Sequence, residues 1–151
     1  MSETLIISNG KPVECASLDL LKELVAEIID GRTGADEVCL ESPGAWRRVD
    51  GRWFRPAGTH HPWLSLMRFA PDGHAPAWVV RYCDPSRTMY FAVSKDSCAP
   101  LEGMLCGGPA RIHARCLVPD ATALMIAECF FKERRLPLEA AWVTPDMAWA
   151  T

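Results

Sequence analysis

The sequence predicts an α+β protein: an antiparallel sheet of about five to seven strands with an N-terminal and a C-terminal helix packed on it. Two apolar stripes at helical spacing, one near each end of the chain, supply the helices. Between them lie short apolar runs joined by brief turn segments, the pattern of an antiparallel meander. A length of 151 residues suits one domain over 1–151, large enough for its own core, with 144–151 as a loose tail.

Leu5 to Ser8 reads as a short first strand, followed by the turn signal Asn9-Gly10-Lys11-Pro12. Ser17 is a suitable N-cap, with Asp19 in the first turn, where the helix dipole favours an anion. Leu21, Leu24, Val25, Ile28 and Ile29 then share one helical stripe, and Gly31 supplies the stop. From Glu37 to Glu41, Val38 and Leu40 alternate with Glu37, Cys39 and Glu41 as in a half-buried strand. Ser42 to Pro62 is irregular, but inside it Asp50-Gly51 separates Trp46–Val49 from Arg52–Arg55, a hairpin signal.

Trp63 to Phe69, Ala77 to Tyr82 and Thr88 to Val93 read as three consecutive strands, with turns at Pro71-Asp72-Gly73 and Asp84-Pro85-Ser86. Ser94 to Pro109 reads as a longer loop broken at Gly107-Gly108-Pro109, and Ile112 to Val118 as a strand or an extended lead. In the last helix Pro119 takes the first turn or Asp120 caps it. Ala123, Ile126, Ala127 and Phe130 form its inward stripe, with Phe131 beside them. Lys132, Arg134 and Arg135 crowd its final turn, and Pro137 ends it. Leu138, Ala140 and Trp142 then alternate with Glu139, Ala141 and Val143 as a closing strand. Ile126, Phe130, Phe131, Pro137 and Trp142 are the expected scaffold residues.

Sixteen basic residues oppose nineteen acidic ones, for a net charge of −3. That balance argues against a general nucleic-acid binder, which carries a basic face. The first residues lack a basic n-region and a long apolar run, and no window reaches the ~18 apolar residues of a membrane span. A cytoplasmic protein is expected. The seven cysteines (Cys15, Cys39, Cys83, Cys98, Cys106, Cys116, Cys129) are odd in number and form no CxxC pair, so they read as reduced thiols.

Chemistry has few candidates. His60-His61, with His74 nearby, raises a metal site, but no recognised ligand pattern surrounds them and a surface turn explains them as well. Cys106 beside two glycines could be a nucleophile with His113 as base, yet no third orienting group is evident. The carboxylates Glu37, Glu41, Asp50, Asp72, Asp84, Asp96 and Glu102 are scattered and suit solvated turns. Asp36, Glu37 and Glu41 form the exception, an acidic segment able to face a basic partner. The stretch WRRVDGRWFR mixes cations with Trp46 and Trp53, residue types that anchor protein interfaces and also bind nucleic acid. Six tryptophans exceed what a core of this size needs. No cofactor motif occurs.

The C-terminal stretch carries one more signal. "CLVP" (Cys116 to Pro119), "MIAECFFKERRLP" (Met125 to Pro137) and "AAW" (Ala140 to Trp142) together resemble the end of the Imm-one family of immunity proteins of bacterial polymorphic toxin systems. "VVRYCDPSRTMYFAVSKDS" is similar to that family's pair of strands around a polar turn, and Gly107-Gly108 to its paired glycines. Where the family has Gly-Arg before the proline, this chain has Arg135-Leu136. The likeness covers about the last half of the chain and leaves Ser42 to Pro62 without a counterpart.

The resemblance implies a non-enzymatic inhibitor. It would bind a cognate toxin encoded nearby, a deaminase or nuclease acting on nucleic acid, and occlude its active site. No cofactor, nucleic acid or membrane is then expected as partner, and a homodimer is compatible. Toxin contacts would fall on Asp36, Glu37, Glu41, Trp46, Asp50, Trp53, Asp72 and Asp84. The contrasting reading is a small cytoplasmic enzyme using Cys106 and His113, or a metal held by His60, His61 and His74.

Overall fold

A computed structural model describes residues 4–14, 16–32, 35–58, 60–94, 99–137 and 140–144. Cys15, Asp96, Cys98, Leu138, Glu139, Trp149 and the tail from Pro145 lie outside the described residues.

The architecture is α+β, with two helices on a large antiparallel sheet. In chain order the elements are β1 (Leu5–Ser8), β2 (Lys11–Pro12), α1 (Leu18–Asp30), β3 (Glu37–Glu41), β4 (Arg47–Val49), β5 (Arg52–Phe54), β6 (Trp63–Pro71), β7 (Ala77–Cys83), β8 (Met89–Val93), β9 (Pro100–Leu105), β10 (Gly108–His113), α2 (Asp120–Glu133) and β11 (Ala141–Val143). The main sheet runs β11-β8-β7-β6-β3-β1-β2, and β9 joins the far end of β6 with β10 beside it. That makes a main sheet of nine strands among the described residues, more than the five to seven expected. The unexpected strands are β2, at two residues too short to show alternation, and the β9–β10 pair, whereas β11 falls within the expected closing strand.

Both helices cover one face. The α1 stripe buries Leu21, Val25 and Ile28, while Leu24 is half-buried and Ile29 sits at the exposed margin. Ser17 accepts the Leu20 amide as N-cap, and Gly31 closes the helix at φ +67°, a left-handed conformation that glycine adopts without strain. In α2, Ala123, Ile126, Ala127 and Phe130 are buried against Val38, Leu40, Leu64, Leu66, Trp78 and Val80 of the sheet. Pro119 takes the N-cap position of α2. Asp120 leaves capping aside and accepts the Trp78 indole N–H at 2.8 Å. That bond satisfies the one polar atom of a fully buried tryptophan and fixes the helix start over β7. Trp142 packs edge-on to Tyr82 at the rim of this core and is half-buried, a scaffold residue at the margin of the packing.

The opposite face corrects the expected loop over Ser94 to Pro109. Residues 100–113 form a hairpin, β9–β10, turning at Cys106 (φ +49°) and Gly107 (φ +82°). It folds Leu101, Leu105, Ala110 and Ile112 over Met67, Phe69, Val79 and Phe91, giving the sheet a second core. Gly103 lies where β9 meets β6, and a Cβ there would stand 2.2 Å from the Ala70 carbonyl oxygen. Only glycine permits that approach. After β10 a short 3-10 turn, Ala114–Cys116, leads to Val118, which exchanges backbone hydrogen bonds with Trp78. The expected strand or extended lead over Ile112 to Val118 is thus broken: Ile112 and His113 end β10, residues 114–116 turn, and Val118 makes a single bridge.

Candidate functional site

The β9–β10 hairpin covers only part of the sheet's second face. The rest stays polar. Alternation along β3, β6 and β7 turns Glu37, Cys39, Glu41, Trp63, Ser65 and Arg81 away from the helices. Glu37 accepts the Ser65 hydroxyl at 2.6 Å and one Arg81 nitrogen at 3.4 Å. The Arg81 guanidinium lies 5.4 Å from the Trp63 ring centroid, and its buried Nε has no hydrogen-bond partner.

Glu41 is the pivot of this region. It is buried, and its carboxylate accepts the Trp46 indole N–H at 2.6 Å and two Arg55 nitrogens at 2.7 and 3.0 Å. Arg55 in turn lies 4.5 Å from the centroid of the Trp46 ring. Forked pairing of this kind is directional, so Glu41 fixes both ends of the segment that loops out between them. Glu41 is thus an internal anchor, whereas the sequence pointed to a presented charge.

The segment so anchored is the Trp/Arg hairpin. β4 and β5 form a separate two-stranded sheet with Asp50 and Gly51 at φ +52° and +76°, as an Asp-Gly type I′ turn requires. Cross-strand partners share a face, so Arg48 and Trp53 point one way and Arg47, Val49, Arg52 and Phe54 the other. On the first face Trp53 is half-buried, while Arg48 stays exposed, bonds Glu14 at 2.7 Å and stands 5.5 Å from the Trp53 ring. Trp53 helps line a groove of about 780 Å³ beside Pro12, Val13 and Leu24. The second set is exposed, with Val49 at 53% and Phe54 at 44% relative accessibility.

Asp36, Glu37, Trp46 and Arg55 meet around a cleft of about 330 Å³. The acidic segment and the Trp/Arg stretch, with Asp36 and Glu37 lying 9 to 19 positions from Trp46 and Arg55, therefore share one site. The other acidic candidates do not join them. Asp50 is exposed at the hairpin tip. Asp72 follows β6 at one end of the sheet, and Asp84 follows β7 at the other. Asp84 is spent on its own turn: the Ser86 hydroxyl, first of all, and the amides of Thr88 and Ser86 hold its carboxyl below the usual carboxylate range.

The chemical candidates separate. Cys106 sits at the β9–β10 turn and His113 at the far end of six-residue β10, about 17 Å of strand away. Cys106 is exposed, and its thiol is raised above its ordinary value by partial desolvation at the turn and then by the carboxylates of Glu37 and Asp36. That is the reverse of an activated nucleophile. His60 and His61 precede β6, while His74 follows it, with nine residues of strand between. Among the described residues no three His, Cys, Asp or Glu side chains cluster as metal ligands. His60 instead stands 3.0 Å from the Asp84 carbonyl oxygen and 3.6 Å from the buried Cys83 sulfur, a pairing the spacing gave no hint of. Burial raises the Cys83 thiol as well.

Compared with family models, curated proteins and solved structures, the chain returns no match.

Proposed function

We propose that this chain is a protein-binding inhibitor, an immunity protein that neutralises a cognate bacterial toxin acting on nucleic acid, in the cytoplasm, by covering the toxin's active site. The observation that carries the reading is the β4–β5 hairpin. It stands off the main sheet, it is fixed at its base by a buried carboxylate, and it presents two apolar side chains and two arginines to solvent. Such a device contributes little to a core. Rigid presentation of aromatic and arginine side chains is what a protein contact surface needs. Beside it the cleft with Asp36 and Glu37 offers acidic groups that suit the basic groove of a nucleic-acid-directed toxin. The resemblance of Cys116–Pro119 and Met125–Pro137 to immunity proteins supplies the toxin as partner, and those residues serve here as scaffold.

Co-expression with the product of the adjacent gene, followed by affinity purification on this chain, tests the reading. A stoichiometric complex that survives gel filtration is expected. Elution of the chain without that product would sink it.

A further inference from the structure

The outer face of the β4–β5 hairpin has a chemistry that the acidic composition of the chain conceals. Four arginines fall between Arg47 and Arg55. Two of them are neutralised within the molecule, Arg48 by Glu14 and Arg55 by Glu41. Arg47 and Arg52 have no ionic partner among the described residues, and both are exposed. They flank Val49 and Phe54 on the same face. The hairpin therefore presents two free positive charges around an apolar pair, inside a chain of net charge −3.

Resting on the reading of this chain as a toxin inhibitor, we propose that this face docks on an acidic, apolar-centred patch of the partner protein, outside any basic nucleic-acid groove. Charge complementarity sets the sign of that patch: Arg47 and Arg52 need carboxylates opposite them. Val49 and Phe54 need an apolar recess between those carboxylates, since pairing the arginines alone would leave both in water. Nucleic acid fits less well. Single strands bind by stacking bases on aromatic faces. Here Arg55 lies over one face of the Trp46 ring at 4.5 Å and Arg48 over one face of the Trp53 ring at 5.5 Å, and the hairpin's outer face carries a single aromatic ring, Phe54, where a strand of stacked bases needs several. The acidic lip at Asp36 and the basic hairpin face would then meet surfaces of opposite sign on one partner, which fixes the orientation of the complex.

The test measures binding of the purified, catalytically inactivated product of the adjacent gene to the full chain over a range of ionic strength. Arg47→Glu with Arg52→Glu is expected to weaken binding at least about tenfold and to flatten its salt dependence. Phe54→Ser is expected to weaken binding comparably while leaving the salt dependence intact. All three positions are exposed, so circular dichroism and the thermal midpoint should not change; Arg47→Gln with Arg52→Gln repeats the charge test with a milder change. If the wild type binds and the arginine variants bind equally well or better, the docking inference is overturned and the inhibitor reading stands. If the wild type does not bind that product, both are overturned. A labelled single-stranded oligonucleotide is the second probe: binding that the arginine substitutions abolish would assign the face to nucleic acid and overturn the inference.

Discussion

Single side chains decide how this protein holds its candidate surface, and Glu41 decides most. Its three close hydrogen bonds fasten Trp46 and Arg55 at the base of the hairpin. Glu41→Ala should cost about 2 kcal/mol in chemical denaturation, less than a fully buried pair because the Arg55 side chain is 55% exposed and regains water. It should also speed amide exchange across β4 and β5; exchange as slow as in the wild type would show that the hairpin needs no such anchor. The cysteines give a second test. Burial, then the charge of Glu37, pushes the Cys39 thiol up to about 12 from the ordinary 9.0. Between those values the folded chain keeps a proton that the unfolded chain releases, so stability is complete below pH 9 and falls as pH rises through this window. Cys39→Ala should remove part of that alkaline loss. Cys106, with its raised thiol, should be alkylated more slowly in the native chain than in the unfolded chain at pH 8. Faster native labelling of Cys106 would point back to a catalytic thiol.

At the level of elements, periodic stretches were legible in the sequence and close-contact stretches were not. Ser17, the Leu21/Val25/Ile28 stripe and Gly31 place α1 within a residue at either end. Ala123, Ile126, Ala127 and Phe130 do the same for the buried face of α2. The Asp50-Gly51 hairpin and the β6–β7–β8 meander follow from turn residues between apolar runs. The β9–β10 hairpin escaped because its own turn, Cys106-Gly107, and its Pro100, Gly103, Gly108 and Pro109 read as breakers. Gly103 is there for the opposite reason, to let β9 lie against β6. Gly103→Ala should therefore cost about 1–3 kcal/mol, read as a lowered thermal midpoint, since backbone must shift to admit the methyl group. A stability equal to the wild type would mean that β9 does not pass so close to Ala70.

For the molecule as a whole, local pattern located the pieces of the candidate site but could not assemble them. Asp36, Glu37, Trp46 and Arg55 share a cleft only because β3 lies inside the sheet and the chain returns to it through a buried carboxylate. Burial of Glu41 has no sequence signature, and neither does the sorting of four arginines into two that are paired internally and two that face out. Asp72 and Asp84 stood beside Asp36 among the expected toxin contacts, yet the sheet carries them to opposite ends. The molecule that results has a two-core scaffold and one projecting, well-anchored hairpin beside an acidic cleft. Its proposed role rests on that hairpin meeting a toxin. Growth of cells expressing the active product of the adjacent gene, with and without this chain, decides the matter. Growth should be restored by the wild-type chain and lost again with Arg47→Glu and Arg52→Glu in place. Failure of the well-expressed wild-type chain to restore growth would contradict the proposal.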